Sequence, residues 1–363
     1  MSKIVTFGEI MGRLAPPGFL RFRQALPGSI DVTFAGAEAN VAASLSYLGE
    51  DVAFVSALPN HSIADACISN LKGLGVDTSY ILRTEAGRLG LYFLETGANQ
   101  RPSNVIYDRD SSSINMIPAE SYPWKEIFQD ARWFHISGIT PALSKMASQV
   151  TLAAVKEAKA NSVTVSCDLN FRKKLWQWEP SFSPQQLAEK TVRGILPYVD
   201  VVIGNEEDAS EVLSIRAGDT DVQAGKLAID RYPEVAQKII SQFSNVSKVA
   251  ITLRESTSAS HNNWGAMLYE GELKKTFYAP WNNGTYEPYQ IRNIVDRVGG
   301  GDSFAAGLIY ALTTPELSSP QTAVSFAVAA SCLAHSIKGD FNYSTRREID
   351  ALMKGSGSGR VVR

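Results

Sequence analysis

Short apolar runs and segments of helical period alternate along most of the chain. KIVTFGE, from Lys3, is an apolar run closed by a glycine, the pattern of a buried strand. AEANVAASLSYLG, from Ala37, carries apolar residues at helical spacing and stops at Gly49. DVAFVSA from Asp51, ARWFHIS from Ala131, SVTVSCDLN from Ser162, VDVVIGN from Val199 and SKVAITL from Ser247 read as further strands. Helical segments such as SKMASQVTLAAVKEAKA, from Ser144, lie between them. Strands apolar on both faces and separated by helices predict an α/β fold. Its central sheet is mostly parallel and flanked by helices on both faces.

Two stretches break the alternation. Residues 11–35 hold Pro16, Pro17, Gly18, Pro27 and Gly28 among β-type residues, and residues 77–114 carry alternating runs such as RLGLYFLE and SNVIYDR. Both predict antiparallel strands outside the main sheet, together a small β-sheet lid. STSASHNN, from Ser256 to Asn263, reads as a polar loop, and WGAMLYEGELKKTFYAP, from Trp264, as a hairpin. The last third is helical. The Ala- and Ser-rich segment from Ser319 predicts a helix against which another element packs closely. The pattern gives one domain over residues 1–354, without an internal repeat, and a flexible Gly/Ser-rich tail over 355–363.

Composition narrows the function. The 363 residues include 35 basic and 37 acidic ones, a formal net charge of -2, so no field of one sign is available to hold nucleic acid or an anionic membrane. Cys67, Cys167 and Cys332 are far apart, form no CxxC pair and predict buried reduced thiols. MSKIVTFGEIMG shows no basic leader with an apolar core, and no apolar run is long enough to span a bilayer, so a cytoplasmic location is expected. His61, His135, His261 and His335 show no metal-ligand spacing, and Ser137 in HISGI is not a GxSxG elbow.

The strongest local signal is NIVDRVGGGDSFAAGLIYAL, from Asn293: strand, Asp296, Gly299-Gly300-Gly301, Asp302, then an amphipathic helix. Glycines opening a helix free backbone N–H groups to face an anion, and a carboxylate in the same turn is placed to take a proton from an attacking hydroxyl. A tight turn with Asp302 as N-cap explains the same residues equally well. No GxxxxGK[ST] loop occurs, and the run is not GxGxxG, which disfavours a dinucleotide fold.

The segment resembles the second signature, DTxGAGD, of the ribokinase-like (phosphofructokinase-B) sugar kinases, and FAGAEANVAASLSYLG, from Phe34, resembles the first. The resemblance runs from Lys3 to about Leu352. GEIMGRLAPP, GAEAN, VIYDR, FHISGITPAL, CDLNFRKKLW and KGDFN are most similar to the 2-keto-3-deoxygluconate kinase branch. The resemblance implies a ribokinase-like fold that phosphorylates 2-keto-3-deoxygluconate with ATP and Mg2+. Asp302 would be the base, and Gly299, Gly300 and Gly301 the anion hole. Gly36, Ala37, Glu38 and Asn40 would bind the sugar, and Tyr92, Tyr107 and Arg109 would reach it from the lid. Arg109 suits the substrate's carboxylate, which a guanidinium binds in a fixed fork. Arg172 would pair with carboxylate or phosphate, and Asp340 with the sugar acid's hydroxyls. Asn170, Asn205 and Thr252 would contact the nucleotide, and Asp208, standing where glutamate is usual, would reach the magnesium through water.

The chain departs from the pattern at three places. Arg297 and Val298 stand where threonine or a similar residue is usual, which leaves monovalent-cation dependence open. Gly300 replaces alanine, and Arg254 stands where glycine normally ends the nucleotide strand. A kinase of the same fold for another sugar (fructose, ribose or 2-keto-3-deoxygalactonate) and a non-catalytic sugar sensor are the alternatives. The expected partners are a sugar acid and ATP, with no nucleic acid or membrane, and lid strand edges that favour a homo-oligomer.

Overall fold

The computed structural model describes residues 2–205, 207–216 and 229–355. From residue 356 on, the expected tail lies outside the described residues. In chain order the strands used below are Lys3–Phe7 (β1), Met11–Ala15 (β2), Asp31–Ala35 (β3), Val52–Pro59 (β4), Ile81–Thr84 (β5), Gly90–Glu95 (β6), Asn104–Asp108 (β7), Ala131–Ser137 (β8), Thr164–Asp168 (β9), Val201–Asn205 (β10), Lys248–Ser258 (β11), His261–Glu270 (β12) and Lys275–Ala279 (β13). The helices are Ala37–Tyr47 (α1), Lys145–Ala160 (α2), Gly300–Thr313 (α3) and Pro320–Ala334 (α4).

The main sheet has the order β13-β12-β11-β10-β9-β8-β1-β4-β5. It is parallel from β5 to β11 and antiparallel across β11, β12 and β13. Successive residues of a strand point to opposite faces, so Val5 and Phe7 join one apolar core while Ile4 joins the other. Both faces are therefore covered, as the continuous apolar runs predict. On one face Gly307 of α3 lies so close to α4 that a Cβ there would meet Ala327 Cα at 2.9 Å, which is the close packing expected of the Ala-rich helix.

Parallel strands bring their carboxyl ends to one edge. The register pairs Ser137 with Asp168, Ile203 with Asp168 and Asn205 with Thr252, so residues far apart in sequence share one rim. Ligands of open α/β sheets gather at such a rim.

A second, four-stranded sheet has the order β3-β2-β6-β7. Its outer pairs are antiparallel, as expected, but β2 and β6 run parallel, because the chain returns to the main sheet through β4 and β5 between them. Ile81–Thr84, inside the stretch expected to leave the main sheet, instead extends that sheet as its edge strand beside β4. The stretch Ser256–Asn263, expected to be a polar loop, is a hairpin: β11 runs on to Ser258 and pairs with β12 down to His261. The stretch pairs within itself, Ser256 with Asn262 and Ser258 with His261, and continues the pairing of the apolar parts of β11 and β12. Among the described residues, no helix is long and apolar enough to cross a membrane. Cys67 and Cys167 are buried, whereas Cys332 is only half-buried.

Candidate active site

The small sheet lies over the rim. Its period-2 alternation puts Thr33, Arg13, Tyr92 and Tyr107 in one cross-strand row. Arg13, Tyr92 and Tyr107 face inward. The inner side packs Met11, Tyr92 and Leu94 against Val298, which precedes the glycine turn. A cavity of about 350 Å³ lies between sheet and rim, the size of a small-molecule site.

Gly299 caps α3 with φ +83°, and a Cβ there would lie 2.3 Å from the Asp340 carbonyl oxygen, so both conformation and space demand glycine. Asp302 is therefore in the first turn of the helix, not its N-cap, and makes no capping bond. The first N–H groups of a helix have no intrahelical acceptor, and Gly299, Gly300 and Gly301 all line the cavity. Asn40 fixes Asp302 from α1: its Oδ1 accepts from the Gly36 N–H at 3.2 Å, which turns its Nδ2 to donate to Asp302 at 2.6 Å. Burial, reinforced by Asp340 and Glu38, outweighs this bond and pushes the Asp302 carboxyl up to about 7. A carboxylate so tuned is poised to accept a proton near neutral pH.

Gly36, Ala37, Asn40, Tyr92, Tyr107, Arg109, Asn170, Arg172, Asn205, Asp208, Thr252 and Asp340 line the same cavity. Glu38 does not. One residue after Ala37 the helix has turned it inward, where one carboxylate oxygen accepts from the Ser137 N–H at 3.1 Å, the Ser137 hydroxyl at 2.7 Å and the Thr140 hydroxyl at 3.1 Å. Its place is to tie α1 to the end of β8.

Two groups at the site are absent from the reading of the sequence. Arg13 is buried between Asp340 and Asp296, while the Tyr92 hydroxyl donates to Asp340 at 2.8 and 2.9 Å. Burial works against the Arg13 charge, but Asp340 and Asp296 outweigh it and hold the guanidinium more firmly protonated than usual. Glu9 receives Arg109, whose Nε donates at 2.7 Å, and the Arg109 guanidinium lies 5.4 Å from the Tyr107 ring. Glu9 is the second residue of GEIMGRL, just past β1, and only the fold shows that Arg109 reaches it.

On the rim, Asp208 accepts from the Asn205 N–H at 2.9 Å and the Phe171 N–H at 3.0 Å, and Asn205 accepts from the Asp208 N–H at 3.1 Å. Burial raises both Asp168 and Asp208 above the usual carboxylate range, and the charges of Asp208 and Asp302 add to the cost at Asp168. Two such carboxylates fit a hard divalent cation, which takes oxygen ligands and keeps several waters. Among the described residues no group of three or more His, Cys, Asp or Glu could hold a metal, so water and a ligand's oxygens would complete the shell.

The pattern of the pfkB family carbohydrate kinases matches residues 1–345. A 2-dehydro-3-deoxygalactonokinase of Haloferax volcanii is 30% identical over 99% of this chain and 98% of its own length. A 2-dehydro-3-deoxygluconokinase of Bacillus subtilis is 26% identical over 84% of this chain and 81% of its own. Among solved structures, a 2-dehydro-3-deoxygluconokinase of Thermotoga maritima superposes with a TM-score of 0.87 at 44% identity, covering 97% of this chain and 98% of that one.

The elevated Asp302 pKa has a consequence for stability. The folded state holds this proton more tightly than the unfolded chain, so stability declines as pH rises from the ordinary 3.8 to about 7 and is level above that. Asp302→Asn removes the decline. Its melting temperature should exceed the wild type's at about pH 8, with the gap closing toward about pH 4. A gap that does not change between those pH values would contradict the buried carboxylate.

Proposed function

We propose that this chain, which belongs to the pfkB family of carbohydrate kinases, transfers the γ-phosphate of MgATP to the primary hydroxyl of 2-keto-3-deoxygluconate, giving 2-keto-3-deoxy-6-phosphogluconate. One observation carries the reading: a carboxyl tuned to about 7, Asp302, shares a cavity with unpaired helix-start amides on one side and Arg109, Tyr107 and Tyr92 of the small sheet on the other.

In the step, the Asp302 carboxylate takes the proton of the sugar hydroxyl as its oxygen attacks the γ-phosphorus. The bond from that phosphorus to the β–γ bridging oxygen breaks, and its electron pair leaves with ADP. The proton on Asp302 is later lost to solvent. The N–H groups at Gly299, Gly300 and Gly301 face the charge that builds on the transferring group. Asp168 and Asp208 would hold Mg2+ through water, and the ion when bound neutralises phosphate charge. Asn170, Asn205 and Thr252 lie on the same side, where the nucleotide would approach.

The small sheet is the lid over the sugar. Arg109 and Arg172 select an acid, because a neutral sugar offers no carboxylate for a guanidinium fork. The relative from H. volcanii favours a second reading, 2-keto-3-deoxygalactonate as substrate, with the same machinery.

The lid's outer side supports self-association. Val32, Leu14, Phe93 and Ile106 form one apolar row across all four strands, with Val32 58% and Ile106 51% exposed. Such a face on a sheet with free edges suits a second copy of the same sheet.

An ADP-release assay with 2-keto-3-deoxygluconate, 2-keto-3-deoxygalactonate, fructose and ribose tests the reading. The wild type should favour the sugar acids. Asp302→Ala should cut kcat by about 10²–10⁴-fold, and Arg109→Ala should penalise the acids more than the neutral sugars. Near-normal turnover by Asp302→Ala would contradict the mechanism, and an equal penalty for all sugars would contradict the acid substrate. Light scattering of Val32→Asp should give a monomer where the wild type gives a dimer. An unchanged mass would place any interface elsewhere.

A further inference from the structure

The pair of Glu9 and Arg109 joins the two walls of the cavity. Glu9 follows β1 on the rim, and its backbone lies against the glycine that opens α1: a Cβ on Gly36 would meet the Glu9 carbonyl oxygen at 2.0 Å. Arg109 follows β7 on the small sheet. Both side chains are buried, and both residues line the cavity.

The bonding between them is lopsided. A guanidinium and a carboxylate commonly pair through two parallel bonds, one to each oxygen. Here Nε, at 2.7 Å, and Nη2 both donate to the same oxygen, Oε2. Oε1 is buried without a donor. It lies against Gly90 of β6, where a Cβ would come within 2.7 Å of it, so its place depends on that glycine. A buried acceptor left unsatisfied is destabilising, and a buried ion pair is a weak source of stability even when fully bonded. Stability alone does not account for the pair.

What the pair does is fix which side of Arg109 stays open. Nε and Nη2 are committed to Glu9, and Nη1 makes no hydrogen bond among the described residues. The Tyr107 ring flanks the guanidinium at 5.4 Å. A long side chain loses rotamer freedom when it binds a ligand, and one already held in place loses less. We propose that Glu9 is the positioning residue for Arg109: it holds the Nε edge so that the Nη1 end meets the carboxylate of a sugar acid. The inference rests on the sugar-acid reading above. Glu9 touches none of the reacting atoms, so its effect falls on substrate binding. Glu9 also balances the charge of Arg109. Were that its main effect, removing it would strengthen acid binding, so the sign of the change decides.

Steady-state kinetics with 2-keto-3-deoxygluconate test the role. Glu9→Ala should raise KM for the sugar acid about ten- to a hundredfold, with much smaller changes in kcat and in KM for MgATP. Glu9→Gln keeps an oxygen to accept from Nε and Nη2 and should recover most of the loss. Added to Arg109→Ala, Glu9→Ala should cost less than about twofold more, because nothing is left to position. Melting temperatures of the variants register any loosening of the small sheet. The proposal is overturned if Glu9→Ala leaves KM unchanged or lowers it, if Glu9→Gln is as impaired as Arg109→Ala, or if the Glu9→Ala penalty persists in full without Arg109. None of these results touches the sugar-acid reading while the wild type prefers the acids. A wild type that prefers fructose or ribose overturns that reading and the positioning role together.

Discussion

Arg13 is the charge on which the arrangement of the site turns. It projects from the small sheet into a buried gap between Asp296, at the start of the glycine turn, and Asp340, whose carbonyl closes over Gly299. Three segments remote in sequence meet on one guanidinium. A buried arginine without its carboxylates, or a buried pair of carboxylates without the arginine, would carry uncompensated charge, which is costly in a low-dielectric interior. The pairing therefore admits few alternatives to the observed position of the small sheet. Lys338 repeats the tie at the surface, donating to Asp31 of β3.

That placement determines the chemistry beneath it. With the lid held over the rim, Asp302, Asp168 and Asp208 face a confined cavity, and burial raises all three above the usual carboxylate range. For Asp302 the result is a carboxyl that changes protonation state near neutrality. For Asp168 and Asp208 it is a demand for positive charge that a hard cation would meet. The arginines that line the cavity come from different elements: Arg109 follows β7 of the small sheet, Arg172 follows β9, and Arg254 lies on β11. The fold thus brings charge of both signs to one cavity from separate elements.

Much of this was legible in the sequence because the relevant signals are local. Apolar runs gave the strands of the main sheet, helical period gave α1, α2 and α4, and three glycines before Asp302 marked the start of α3. The cavity-lining residues followed from short motifs, since each motif lies at a strand end or a helix start. What escaped depends on partners distant in sequence. Nothing near Arg13 announces Asp340, and nothing near Glu9 announces Arg109. Glu38 belongs to the right motif but points the other way, because one residue of helical rotation takes it from the cavity to Ser137. The hairpin from Ser256 to Asn263 was hidden by its polar composition, and the parallel pairing of β2 with β6 by the excursion through β4 and β5.

The central claim is that Asp302, held by Asn40 in a desolvated turn, is the proton acceptor. The pH dependence of kcat/KM for the sugar acid tests it most directly. The wild type should lose activity with an apparent pKa close to 7 as pH falls. Because the Asn40 bond lowers that value, Asn40→Ala should move the acidic limb upward. A profile that stays flat down to about pH 5, or a limb that Asn40→Ala leaves in place, would contradict the account.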